Sequence, residues 1–213
     1  MIIPRSLRKI GRIHFPADQT RYAACVHVHR DAAGKPWVIT TDGRYLLAAT
    51  FDEPVVQGIE NPKVVGFDVN IPLCAWETMF SYAKRVYEPE HQPSQIIVDE
   101  TSTETVDMRV WDGRCYCIVR QLNAPGKLTG AKVLDTIRKH QAKPVEKPLA
   151  TITHIPANYR HLMKTLDNIG ANKITMNVPE KVVSPALFTV ILEDGSRVEG
   201  AIIGCDTPKE AAK

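Results

Sequence analysis

Three stretches of the chain carry apolar residues at intervals of three and four, which is the spacing of an amphipathic helix. Each stretch begins just after an Ile-Pro dipeptide, and proline suits a first helical turn because its missing N–H would have no partner there. The first stretch is short, and the other two are longer. We therefore predict helices after Pro4, Pro72 and Pro156, the third of which ends near Gly170.

Runs of apolar and β-branched residues, typical of strands, lie between these helices. Three Asp-Gly dipeptides separate pairs of such runs, and this dipeptide supplies the positive φ that a tight hairpin turn needs. Each dipeptide follows its proline at nearly the same distance, at Asp42, Asp112 and Asp194. A short extended segment precedes the second and third helices. The chain thus repeats a β-α-β-β-β unit three times, although the first strand of the first unit has little signal.

Three such units predict an α+β fold in which strands of successive units continue one antiparallel sheet and the helices cover one of its faces. We divide the chain into a domain of two units at residues 1–125, a basic linker or short helix at 126–147, and a third unit, half a domain, at 148–205. Residues 206–213 form a tail.

The composition is that of an ordinary globular protein, with 213 residues of which 44% are apolar and 24% charged. It disfavours collagen-like, disordered and membrane classes. No apolar run approaches the roughly 20 residues of a membrane helix, and the first residues lack the apolar core of a secretion signal. The five cysteines include no Cys-x-x-Cys pair. We interpret them as reduced thiols and expect a cytoplasmic protein that has no membrane partner.

The net charge of +3 neither requires nor excludes a polyanionic partner, so the distribution of charge must decide. Basic side chains are concentrated on the first helix and in residues 126–147, and the other two helices add more. Together they predict one basic surface, although acidic residues dilute it and a solvated helix face is the simpler reading of any single lysine. The basic residues of this surface are Arg5, Arg8, Lys9, Arg12, Lys84, Arg85, Lys132, Arg138, Lys139, Arg160 and Lys164.

The segment VITTDGRYLLAA, residues 38–49, resembles the ATDG-H-R-L segment in the middle domain of the bacterial replicative sliding clamp, the beta subunit of DNA polymerase III. The likeness extends to that domain's opening helix (IPRSLRKIGRIHF), second helix (FDVNIPLCAWETMFSYAKRV) and final hairpin (VDMRVWDGRCYCIVRQLNAP). The segment TITHIPANYRHLMKTLDNIGANKITMNV, with the hairpin after it, resembles the last half of the clamp's C-terminal domain. The resemblance covers about residues 1–205 and is loose outside residues 41–46.

This resemblance implies DNA-clamp-like units whose helices lie toward DNA, and a non-catalytic protein that docks peptides of replication or repair proteins. It also implies weak, sequence-independent contact with double-stranded DNA, for which the residues of the basic surface are the candidate contacts. Carried over residue by residue, the family's peptide pocket comprises Thr41, Gly43, Arg44, Tyr45, Leu46, Pro125, Ile202 and Ile203. Arg44 and Tyr45 replace His and Arg of the family, which puts the pocket's specificity in question. The alternative is a plain hairpin turn with Leu46 in the core.

The chain has three units, whereas a full bacterial clamp chain has six. A ring of twelve units would then need four copies of this chain, so we expect either a homo-oligomer or a monomeric relative that binds proteins without encircling DNA.

Two other kinds of site are less well supported. Cys25, His27 and His29 alternate onto one face of a strand and could be zinc ligands, but one strand cannot wrap around an ion, so we expect neither metal nor cofactor. Nucleophile–base pairs such as Cys115 with His161 have no supporting motif. An unrelated α+β enzyme is the third possibility.

Overall fold

The computed structural model describes residues 1–12, 25–41, 45–53, 66–86, 96–100, 102, 104–110, 116–121, 129–142, 157–178, 185–193 and 195–202. In chain order the elements are β1 Ile2–Ile3, a 3-10 helix Arg5–Arg12, β2 Cys25–Arg30, β3 Pro36–Thr41, β4 Tyr45–Thr50, β5 Asp68–Pro72, α1 Leu73–Val86, β6 Ile96–Glu100, β7 Thr105–Val110, β8 Tyr116–Arg120, α2 Gly130–Gln141, α3 Ala157–Asn168, β9 Ala171–Asn177, β10 Ala186–Leu192 and β11 Arg197–Ile202.

These elements confirm the predicted α+β fold and its repeated unit. Both α1 and α3 begin directly after the prolines that predict them, and α3 is followed by Gly170 at a φ of 81°. The first helix is a 3-10 helix rather than an α-helix. The first strand expected for the third unit, residues 150–155, lies outside the described residues.

The strands form two antiparallel sheets. The four-stranded sheet has the order β1-β6-β7-β8, and the seven-stranded sheet has the order β5-β2-β3-β4-β11-β10-β9. The first two units exchange their first strands, because β1 pairs with β6 and β5 pairs with β2. The third unit joins the first through the pairing of β11 with β4. The expected single sheet is therefore found between units one and three, whereas units one and two are divided over both sheets.

The junction between β4 and β11 depends on a glycine. A Cβ atom at Gly200 would lie 2.2 Å from Cζ of Phe188 and 2.4 Å from the carbonyl oxygen of Leu46. Real Cβ atoms do not approach other atoms so closely, so only glycine lets the third unit's sheet join the first unit's sheet at this position.

Side chains alternate between the two faces of the seven-stranded sheet. Val38 and Leu47 point into the main core, which the 3-10 helix, α1 and α3 also enter with their apolar residues. Their strand neighbours Ile39 and Ala48 point to the opposite face, where α2 covers them. The helices of the three units thus share one side of this sheet, and α2 lies on the other. No described helix is both long and apolar enough to cross a membrane.

Candidate DNA and peptide interfaces

Four of the predicted DNA contacts are exposed on two helices that lie on the same side of the seven-stranded sheet. Arg5 and Lys9 are exposed on the 3-10 helix, and Arg160 and Lys164 are exposed on α3. The Nζ atom of Lys9 donates a hydrogen bond to the carbonyl oxygen of Asn168, and residues four apart on α3 lie on one side of that helix. We call the surface formed by Arg5, Lys9, Arg160 and Lys164 the helical face.

Arg8 has a different environment from these four residues. Its guanidinium Nη2 donates a 2.8 Å hydrogen bond to Oγ of Ser81 and lies 3.6 Å from a carboxylate oxygen of Glu77. Its side chain is only 18% exposed, so its charge is largely committed to joining the 3-10 helix to α1. The structure describes the backbone of Arg12, Lys84 and Arg85 in their helices, while their side chains lie outside the described part.

The expectation of one basic surface is wrong for the residues of α2. Lys132, Arg138 and Lys139 are exposed, but α2 lies across β5, β2, β3, β4 and β11 on the face opposite the helical face. The physical reason is the apolar side of α2. Its Val133, Leu134 and Ile137 are buried against the second face of β3 and β4 and not in the main core.

The predicted peptide pocket is divided by the sheet. Thr41 and Leu46 are cross-strand partners, and both share the α2 side. Ile202 pairs with Tyr45, and its fully buried side chain points into the main core on the other side. Ala201 lies opposite Leu46, so it shares that face. We did not predict Ala201, because only the register of β11 on β4 reveals it.

The remaining pocket residues cannot be placed in this surface. Gly43, Arg44, Pro125, Ile203 and the side chain of Tyr45 lie outside the described residues.

A group of buried polar side chains lies near the start of α2. Nδ1 of His27 bonds with Oδ1 of Asn70, and Nε2 of His27 lies 3.7 Å from Sγ of Cys25. Burial lowers the pKa of His27 and raises the pKa of the Cys25 thiol to about 11. Nδ1 of His29 lies 3.5 Å from Oδ2 of Asp68. The described residues include no group of three His, Cys, Asp or Glu that could hold a metal ion.

The turn between β2 and β3 is organised by Asp31. Its Oδ1 accepts hydrogen bonds from the backbone N–H groups of Ala33 and Lys35, at 3.0 and 2.9 Å. Its Oδ2 accepts a 3.1 Å bond from the indole of Trp37 and lies 3.3 Å from Nη2 of Arg138. Burial by itself would raise the pKa of Asp31, but these donors outweigh it and hold the pKa below its usual range.

Comparison with known proteins shows similarity in structure. No family model matches the sequence, and no curated protein matches it. A DNA polymerase III subunit beta from Pseudomonas aeruginosa superposes with a TM-score of 0.58 at 11% identity, over 97% of this chain and 66% of that chain. The chain has the DNA-clamp fold.

Further clamps support the same conclusion. The DNA polymerase III beta subunit from Thermotoga maritima matches with a TM-score of 0.54 at 9% identity, over 99% of this chain and 66% of that chain. The A. fulgidus PCNA bound to the C-terminal region of FEN-1 matches with a TM-score of 0.55 at 8% identity, over 97% of this chain and 98% of that chain. The resemblance to clamps is thereby confirmed for the fold, and the chain spans about two thirds of the bacterial clamp chains.

One edge of this clamp fold is notable for its exposed apolar residues. Among the described strands, β8 is hydrogen-bonded only to β7, and β5 lies beside it, where the backbone N–H of Asn70 donates a 3.2 Å bond to Oε1 of Gln121 just beyond β8. Tyr116 and Ile118 are 53% and 62% exposed on β8. The Tyr116 hydroxyl donates a 2.7 Å hydrogen bond to Asp107, which raises the pKa of Tyr116. Exposed apolar residues beside a strand edge are typical of a surface that pairs with another chain.

Proposed function

We propose that this protein is a non-catalytic, cytoplasmic clamp-fold protein that associates with double-stranded DNA through its helical face. We further propose that it docks peptides of replication or repair proteins on the sheet face around Leu46. The observation that supports the DNA contact is the exposure of Arg5, Lys9, Arg160 and Lys164 on two helices that share one side of a clamp fold and are joined by the bond from Lys9 to Asn168.

The chemistry of the helical face suits a mobile contact with DNA. Lysine and arginine neutralise phosphates without reading bases, and the affinity falls with salt by a log–log slope of about −0.9 for each phosphate contacted. Asp167, exposed beside Lys164 on α3, reduces the positive potential. A single chain should therefore bind duplex DNA weakly and without sequence preference.

A charge-reversal experiment tests the helical face. Fluorescence anisotropy with a labelled duplex is measured for the wild type, for the double variant Arg5→Glu/Lys164→Glu, and for the control Lys132→Glu/Lys139→Glu on α2. We expect the first variant to lose binding and to have a smaller salt slope, while the control binds like the wild type. Equal losses in both variants would exclude the helical face as the DNA contact.

The alternative function is a clamp-fold module that binds proteins but does not encircle DNA. It is supported by the exposed Asp167 beside Lys164, which weakens the contact of the helical face with DNA. Retention on closed circular DNA compared with the same DNA linearised separates the two. Slower release from the circle indicates encirclement, and equal release from both supports the alternative.

The clamp fold excludes an unrelated α+β architecture, and the lack of catalysis remains part of this proposal.

A further inference from the structure

Helix α2 lies on the surface where the proposed function places a peptide. Its Val133, Leu134 and Ile137 are buried against side chains of β3 and β4. We call those side chains the outer patch, which consists of Trp37, Ile39, Leu46 and Ala48. Leu46, a residue of the predicted pocket, is packed against this cluster, so α2 and a peptide at Leu46 would compete for the same apolar surface.

The apolar contacts of α2 are separate from the main core. The buried side chains of α2 join a small cluster with Trp37, Ile39 and Ala48, whereas the three unit helices join the main core on the other side of the sheet. Removal of α2 from its place would expose the outer patch without opening the main core. Elements with few buried apolar contacts are those that open locally at low cost in free energy.

Two polar contacts between the side chains of α2 and the rest of the protein lie at the solvent-exposed surface. Arg138 reaches Asp31 at 3.3 Å, but its side chain is 55% exposed, and exposed ion pairs contribute little. Nε2 of Gln141 donates a 3.1 Å bond to Glu199, also at the surface. The helix supplies its own N-cap, since the Thr129 side chain accepts from the N–H of Lys132. The helix thus caps the N–H of Lys132 by itself, while the sheet supplies an acceptor for the N–H of Gly130 through Asp68 on β5.

The close packing of α2 on the sheet requires a residue without a side chain at position 130. A Cβ atom there would lie 2.6 Å from Cβ of His29, on a buried strand. The N–H of Gly130 donates a 3.2 Å bond to Oδ1 of Asp68. A methyl group at residue 130 would therefore displace α2 from the sheet. Because alanine has a higher helix propensity than glycine, the helix itself would be retained.

We propose that the outer patch is a docking site for amphipathic helices, that α2 is its resident occupant, and that a partner reaches Leu46 only when α2 leaves. The partner's chemistry follows from α2: apolar side chains at positions i, i+1 and i+4, as at Val133, Leu134 and Ile137, and a basic side chain next to the last of them that reaches Asp31. The identity of the partner as a replication or repair protein rests on the proposed function, but the site does not.

The experiment uses α2 itself as the probe. A fluorescent peptide of residues 129–142 is titrated with the full-length wild type, Gly130→Ala and the control Asp135→Ala, which alters only an exposed position of α2. Because a resident helix lowers the apparent affinity by the fraction of open molecules, we expect Gly130→Ala to bind the peptide at least about tenfold more tightly than the wild type. The control should match the wild type.

Equal affinity of Gly130→Ala and wild type, or no binding of the peptide to either, overturns the proposal. Circular dichroism and thermal melting check that Gly130→Ala is folded, and Ile137→Ala gives the same readout through a lost apolar contact if it is not. Leu46→Asp in the Gly130→Ala background should abolish binding. A polymerase or repair peptide that binds no variant, while the α2 peptide does bind, would contradict the proposed function and leave the docking site standing.

Discussion

The carbonyl oxygen of Arg8 accepts a 2.9 Å hydrogen bond from the indole nitrogen of Trp76. Trp76 is fully buried, and its ring meets Phe80 edge to face at 4.9 Å between centroids. A Cβ at Gly11 would lie only 2.9 Å from both Trp76 and Leu73, so the 3-10 helix rests directly on α1. Together with the exchanged strands β1 and β5, this contact joins the first two units, whose apolar side chains enter the main core.

We expect Trp76→Phe to lower the free energy of unfolding by about 1–3 kcal/mol, because it leaves the Arg8 carbonyl without its donor and opens a cavity in the core. Urea denaturation measures the change, and Tyr82→Phe, at a 49% exposed position of the same helix, is the control. A loss no larger than that of the control would show that the bond to Arg8 adds nothing to stability.

The substitution Gly200→Ala tests the junction of the first and third units. The added methyl group would overlap Phe188 and the backbone of Leu46, so we expect a loss of about 2 kcal/mol or more in unfolding free energy. Hydrogen exchange should show that β9, β10 and β11 lose protection first. Thr175→Ala, exposed on β9, provides the comparison. Unchanged protection in β11 would indicate that the junction accommodates a side chain.

Local signals were sufficient to predict most elements of this fold, but β1 has little signal and the segment of α2 indicated only a linker or a short helix. Pro72 and Pro156 precede α1 and α3, and Asp-Gly dipeptides lie between the paired strands β3 and β4, β7 and β8, and β10 and β11. The exchange of β1 and β5 between units was not predictable in this way. It depends on which distant strands pair, and a strand of two residues such as Ile2–Ile3 carries almost no pattern of its own.

In the candidate sites, too, some positions could be predicted from local sequence and others depended on how distant elements pack. The positions of Arg5, Lys9, Arg160 and Lys164 follow from the helical periodicity of their own elements. The place of Lys139 does not, since the pattern of α2 indicates which side of the helix is buried but not which face of the sheet buries it. Likewise, Ile202 could be separated from Leu46 only through the register of β11 on β4.

The buried His27 predicts a loss of stability in mild acid. Burial lowers the pKa of His27 below the ordinary 6.5. Between the two pKa values, His27 is therefore protonated in the unfolded chain and neutral in the folded protein. Unfolding free energy should therefore fall as the pH drops below about 6.5, with a slope of at most about 1.4 kcal/mol per pH unit for one group. Urea unfolding from pH 7.5 to 5 measures it. The variant His27→Gln should have a flatter profile, and an equal slope in both proteins would contradict this assignment.

Asp31 should cause a further loss of stability at lower pH, in the same direction as His27. Its pKa is held below the ordinary 3.8, so its stabilising effect is complete above that value and is lost as the pH falls through the lowered pKa. Asp31→Asn should lower the unfolding free energy by about 1–3 kcal/mol at pH 7, since the charged acceptor of four donors is lost. The difference from wild type should shrink steadily below pH 4. Asp135→Asn, exposed on α2, should have no effect at either pH.

The edge strand β8 predicts how the chain associates with itself. Ile118 is 62% exposed on a strand that is hydrogen-bonded to only one other described strand, so its burial against a second copy would favour assembly. We expect wild type to sediment as more than one chain at micromolar concentration and Ile118→Lys as a single chain of 23.8 kDa. Ile191→Lys is the matched control, since Ile191 is 43% exposed on β10, inside the seven-stranded sheet. It should not change the mass. If wild type itself sediments as one chain, the edge is not used for self-association and the monomeric alternative is favoured.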